Sequence, residues 1–326
     1  MKKALITGIN GQDGSYLAEI LLGKGYEVYG LMRRTSSPNL SHIKDFKDNP
    51  KFKIYEGDMG DTGCLYKLVK EIMPDEIYNF AAMAGVSPSF NQPEYCFEIG
   101  ALAVIRFLEV IKQIKPDAKF LQATSSHIFG DIKTYPQTET SPLSPISPYG
   151  LAKTSAHHAV NYYRSSQGMF VCSAIFYAHA SPRYSESFLL SKVVHGIRKI
   201  LKGEQKTLEV GNIDNPLDVG YAKEYMEASY KILQNDKPDD YIIATGELHT
   251  PREFIEKSFE FAGLDIKKYL RINNSLKRPE VSILQGDYSK AKRVLGWQPK
   301  VKFKELVKIM VKADIVKSKK NVRSKK

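Results

Sequence analysis

The stretch TGINGQDG, residues 7–14, constrains the fold more than any other part of this chain. It follows the aliphatic run KKALIT directly and opens DGSYLAEILLGKG, where Tyr16, Leu17, Ile20 and Leu21 share one helical face. Gly25 stands where a helix C-cap belongs. Gly8 permits a tight turn, Gly11 lets a backbone approach a pyrophosphate, and Gly14 allows close packing of helix on strand. Free N–H groups at the helix start then face phosphate oxygens. Glycine spacing alone is a weak signal. Placed between strand and helix, it predicts a dinucleotide site over Thr7, Gly8, Asn10, Gly11, Gln12, Asp13 and Gly14.

The alternation continues through EVYGLM, FKIYE, EIYNFAA, KFLQATS and VCSAIFY, with helical patterns between them. It predicts an α/β fold, a doubly wound parallel (Rossmann) sheet with a second, smaller α/β lobe. Past about residue 177 the pattern is irregular, with helices expected near 186–202, 250–261 and 303–313. The expected division gives 1–176 and about 222–248 to the dinucleotide domain, and about 177–221 and 249–316 to a substrate lobe. Residues 317–326 are expected to form a disordered basic tail. The proline-rich YPQTETSPLSPISPYG (135–150) reads as an ordered loop over a site.

A net charge of +12 suggests nucleic acid until it is located. The tail KSKKNVRSKK holds six Lys/Arg and no acid, and without it 42 basic residues face 36 acidic ones. That mild surplus suits an anionic small molecule, and the aromatic residues form no base-stacking platform. Cys64, Cys96 and Cys172 are odd in number and far apart, suggesting neither disulfides nor zinc, and a cytoplasmic setting is expected. His42, His157, His158, His195 and His249 show no metal-ligand spacing, and no apolar run is long enough to cross a membrane.

The second strand is expected to end near Leu31-Met32, where an acid usually holds the ribose hydroxyl of NAD. Here Arg33, Arg34, Thr35 and Ser36 follow instead. Two guanidiniums and two hydroxyls suit a 2′-phosphate, so NADP is the expected cofactor. Asp58 is placed either to touch the adenine or to make a turn; Met59, Ala81 and His179 complete the expected cofactor set. In SPYGLAK, Tyr149 and Lys153 lie four apart on one helical face, and Ser125 ends the strand before them. An ammonium beside a phenol lowers its pKa from about 10, making Tyr149 a general base for a sugar hydroxyl.

With these residues the chain resembles the extended short-chain dehydrogenase/reductase family, and its GDP-mannose 4,6-dehydratase branch over nearly the whole length. The resemblance rests on TGINGQDGSYLAEILLGKGYEVYGLMRRTSS, YPQTETSPLSPISPYGLAK, the SPR of AHASPRYSESF, VGNIDNPLDVGYAKEY and RPEVSILQGDYSKAKRVLGWQPKVKFKELV. It implies a nucleotide-diphosphate sugar substrate, a GDP-sugar first, with NADP regenerated in each cycle. It also implies a homo-oligomer, dimer or tetramer, with the double-arginine loop near a subunit contact. In the mechanism it implies, the tyrosine takes the C4 hydroxyl proton as hydride leaves C4, a base takes the C5 proton, water leaves C6, and hydride returns to C6. Ser125, Ser126, Tyr149 and Lys153 carry over as catalytic residues.

The C5 base does not carry over, because a glutamate is expected where this chain has His127. Two readings stay open. Neutral imidazole could accept the C5 proton and, as imidazolium, protonate the departing C6 hydroxyl. Otherwise His127 only binds substrate, and the enzyme is a C4 ketoreductase, epimerase or dehydrogenase. Ala178 and Ala180 stand where the resemblance expects asparagine and glutamate, and Pro216-Leu217-Asp218-Val219 where it expects Lys-Arg-Asp-Trp, which removes an expected phosphate-binding arginine. Arg183, Lys192 and Arg278 remain for the diphosphate, and Ser87, Ser125, His127, Glu186, Asn212 and Glu280 complete the expected substrate set. Met83-Ala84-Gly85 is also less polar than the family stretch, which leaves room for an N-acetylated or otherwise modified hexose.

Overall fold

Nearly continuous apolar runs such as KALIT and VCSAIF demand cover on both faces, and a parallel sheet with helices on either side supplies it. In the computed structural model, residues 1–273 and 283–323 are described, the last eight by their backbone only. The strands are β1 Lys3–Thr7, β2 Glu27–Arg33, β3 Phe52–Gly57, β4 Glu76–Asn79, β5 Lys119–Ser125, β6 Val171–Phe176, β7 Ala178–Ala180, β8 Leu208–Val210, β9 Leu217–Tyr221, β10 Tyr241–Ile243, β11 Leu248–His249 and β12 Leu270–Ile272. The helices are α1 Gln12–Gly23, α2 Thr62–Ile72, α3 Val86–Asn91, α4 Pro93–Phe97, α5 Ala103–Ile114, α6 Pro148–Gln167, α7 Leu189–Leu201, α8 Ala222–Gln234, α9 Pro251–Ala262, α10 Ile266–Tyr269, α11 Ser289–Leu295 and α12 Phe303–Arg323.

Seven parallel strands form the main sheet in the order β10-β6-β5-β4-β1-β2-β3. The chain moves outward from β1 to β3, then returns to β4 on the other side of β1. That reversal opens a crevice at the carboxyl ends of β1 and β4, where α/β sheets bind ligands. One core packs α1 and α8 on the sheet, and another packs α2, α5 and α6 on its opposite face. A third joins α7, α9 and α12 to β8 and β9, beside the small sheets β11-β9-β7 and β12-β8.

Two features depart from the expected division. Ala291 and Trp297 belong to the main-sheet core, not to the third one. The Trp297 indole donates to the Glu224 carbonyl at 2.9 Å, and the Glu224 carboxylate accepts from the backbone of Lys300 and Val301. The last helix carries the basic stretch as helical backbone as far as Arg323, where a disordered tail was expected from residue 317. A run such as VKADIVKSKK has no proline or glycine to stop a helix already packed at its start.

Candidate active site

Thr7 is fully buried where β1 ends. Its hydroxyl donates to Asn79 Oδ1 at 2.5 Å and accepts from the Ala81 amide at 3.0 Å, stitching β1 to β4 rather than facing a ligand. Gly8 turns the chain at φ +68°, and α1 begins after Gly11 with no side-chain cap, so its first N–H groups stay open to an anion. Gly14 packs against the turn itself: a Cβ there would lie 2.8 Å from Ile9 Cα and closer still to the Gly8 carbonyl. Gly30, by contrast, is the glycine that admits the Ile9 side chain onto β2. Gly14→Ala is expected to lower stability by about 1–3 kcal/mol. Thermal melting measures that loss, and dinucleotide titration should show the turn's affinity falling with it.

Around this turn, Asn10 donates to the Asn39 carbonyl at 3.3 Å, and Gln12 Nε2 donates to Asp13 Oδ1 and to the His179 carbonyl. Arg33 at the end of β2 and Arg34 and Ser36 beyond it are exposed, with Arg33 donating to the Tyr95 hydroxyl at 2.7 Å. Asp58 makes a turn, accepting from the Gly60 amide at 2.8 Å, and Met59 is buried beside it.

On the other side of the crevice, β5 delivers Ser125, which caps the tight turn Ser126–Ile128 by accepting from the His127 amide at 3.3 Å. Ser147 caps α6 by accepting from Gly150, and Pro148 takes the first helical position, so Tyr149 and Lys153 share the first turns. The Tyr149 amide donates to Ser89 Oγ at 3.2 Å. Its phenol hydrogen-bonds Ser125, and its ring centroid lies 5.9 Å from the His127 ring, edge to face. Lys153 is buried, donates to the Ala123 carbonyl at 2.7 Å, and stands 5.8 Å from the Tyr149 ring centroid.

The expected lowering of the Tyr149 phenol is absent. Burial pushes it up to about 12, and the Ser125 hydrogen bond offsets this only in part. Burial also draws Lys153 down to about 8. Loss of hydration therefore governs both groups. His127 is pushed down to about 4 by burial, so its imidazole is neutral around pH 7.

The expected substrate residues are more scattered. Arg183 lies 4.0 Å over the Tyr16 ring and donates to Ser15 and to Glu19, so its charge is already paired on α1. Glu186 faces His195 at 3.5 Å, and Asn212 folds onto Asn215 and the Asp214 amide. Lys192 is exposed on α7, and Ser87 is half-buried in the first turn of α3. Arg278 and Glu280 lie outside the described residues. Among the described residues no three His, Cys, Asp or Glu are arranged to hold a metal, and no helix is long and apolar enough to cross a membrane.

Three features escaped the sequence reading. Ser89 holds the Tyr149 backbone. Ser181, within the noted Ser-Pro-Arg, donates to Gln12 Oε1 at 2.7 Å. Tyr184 and Phe188 stack in parallel at 4.5 Å, and Phe188 closes on Gly85 beside β4. Only Ser181 stood in a recognisable motif.

The sequence profile described as GDP-mannose 4,6 dehydratase matches residues 5–310. The GDP-mannose 4,6 dehydratase of Cricetulus griseus is 42% identical over 340 residues, covering 96% of this chain and 91% of that protein. Among solved structures, the dTDP-glucose 4,6-dehydratase of Bacillus anthracis in complex with NAD superposes with a TM-score of 0.84 at 24% identity, over 96% of each chain. The RMD protein of Pseudomonas aeruginosa complexed with NADPH does so at 0.81 and 21%, over 97% of this chain and all of that one. A profile spanning nearly the whole chain, matched by identity above 40%, places this protein in the GDP-mannose 4,6-dehydratase family.

Proposed function

We propose that this protein is a GDP-sugar 4,6-dehydratase that recycles NADP internally and yields a 4-keto-6-deoxy sugar nucleotide. The observation carrying the reading is the convergence of Ser125, His127, Tyr149 and Lys153 across the crevice from an uncapped glycine turn. The turn fits a dinucleotide: a Cβ at Gly14 would collide with it, and the open N–H groups suit a pyrophosphate. A bound nicotinamide would supply the hydride acceptor for C4 and the hydride donor for C6. Arg33, Arg34 and Ser36 suit a 2′-phosphate better than a bare hydroxyl.

The chain's own residues move the protons. Tyr149 takes the C4 hydroxyl proton as the phenolate, a form that burial alone disfavours and that the positive ring of a bound oxidised nicotinamide would favour, with Ser125 holding the phenol oxygen. The C4 ketone acidifies C5. His127 takes that proton and passes it to the C6 hydroxyl, which leaves as water; as hydride reaches C6, C5 takes a proton from solvent and Tyr149 releases the C4 proton to solvent. Burial keeps the His127 imidazole neutral around pH 7 and so able to accept a proton, which supports dehydration over C4-only chemistry.

A panel of GDP-, UDP- and dTDP-hexoses incubated with NADP or NAD in heavy water, followed by mass spectrometry, tests this. The expected product has lost one water and carries deuterium at C5, from a GDP-hexose with NADP. A product that keeps its C6 hydroxyl overturns the reading. A homo-oligomer in the cytoplasm completes the proposal. Leu102 just before α5, Ile105 on α5, and Leu151 and Tyr162 on α6 expose apolar surface, which supports a contact with a second copy there.

A further inference from the structure

His179, just before Ser181, faces the phosphate-binding turn from β7. Its Nδ1 lies 2.8 Å from the Tyr177 carbonyl, and its Nε2 lies 3.1 Å from each oxygen of Asp13. A carbonyl and a carboxylate only accept, so both ring nitrogens carry hydrogen and the ring is an imidazolium. Its surroundings fit a cation. The ring stacks on Tyr225 at 4.8 Å and meets Phe176 edge-on at 5.3 Å, and the buried Tyr225 hydroxyl has no hydrogen-bond partner among the described residues, so Tyr225 contributes its ring face. Gln12 locks the arrangement through Asp13 and the His179 carbonyl.

Asp13 occupies the second position of α1, beside the open N–H groups. A lone carboxylate there would repel the anion those groups invite. We propose that His179 is a charge-compensating positioning residue, whose imidazolium cancels the Asp13 carboxylate so that the turn can accept the pyrophosphate of a dinucleotide. This rests on the nicotinamide-dinucleotide reading above. Burial opposes the charge on the ring, yet Asp13 raises its pKa, and burial likewise opposes the Asp13 charge while His179 lowers its pKa. The same carboxylate acts on Tyr149, pushing its phenol up, so its cancellation serves the catalytic side of the crevice too.

The test is the NADP dissociation constant, by calorimetric titration, of the wild type, His179→Gln, Asp13→Asn and the double variant, with melting temperatures of each. His179→Gln strands a carboxylate beside the pyrophosphate and is expected to weaken binding about tenfold or more. Asp13→Asn with His179→Gln removes both charges and is expected to recover affinity to within about threefold of the wild type. A purely structural hydrogen bond predicts no such recovery, and a double variant as weak as His179→Gln overturns the proposal. Should His179→Gln fail to fold, the double variant alone decides by the same criterion. A wild type that binds neither NADP nor NAD removes the cofactor reading and this inference with it.

Discussion

Tyr149→Phe is expected to reduce turnover by about three orders of magnitude while the protein melts within a few degrees of the wild type. The substitution removes only the oxygen. The ring keeps its packing against the cluster of Cys96, Ala101 and Ala152, and the backbone bond to Ser89 is untouched. What disappears is the acceptor of the C4 proton. Product formation followed by mass spectrometry measures the loss, and activity within tenfold of the wild type would remove Tyr149 from that role. In the wild type the rate is also expected to fall above about pH 8, because Lys153 is charged below its lowered pKa and loses its proton above it.

His127→Gln is expected to abolish dehydration by a factor of about a hundred to ten thousand, while C4 oxidation continues. Glutamine keeps the size and polarity of the site and cannot take a proton from C5. Heavy-water incubation separates the two steps, since the variant's product should retain its C6 hydroxyl and carry no deuterium at C5. His127→Glu is expected to restore the label. Direction with pH adds a check. Neutral imidazole is the active form, so the wild-type acid limb belongs near pH 4, below the usual histidine value. A glutamate in the same half-buried place titrates above its ordinary value and moves that limb upward. An unchanged product from His127→Gln would hand the C5 proton to another group.

Much of this site could be read before folding because its parts are local. Thr7 to Gly14 make one turn, and Tyr149 and Lys153 share one helix face, so spacing alone places them. The strands β1 to β6 are runs of four to seven residues whose apolar character is visible. By contrast β7, β8, β10 and β11 span two or three residues and exist only because a neighbour pairs with them. Asp13 and His179 are 166 residues apart, and no pattern joins them without the fold. Arg183 shows the same gap: its charge was legible, but Glu19 and Tyr16, which take it up, lie on another element. The phenol of Tyr149 was misjudged for a related reason, since spacing revealed the ammonium and concealed how little water reaches either group.

The return of Trp297 to the main-sheet core has a consequence for how the protein comes to be made. A ribosome releases β1 first, yet the edge strand β10 and the indole that covers α8 emerge long after it. Closure of that hydrophobic layer spans most of the polypeptide, which makes for slow assembly. The nascent amino-terminal half carries an unfinished sheet edge, so it needs protection from self-association until the last stretch arrives.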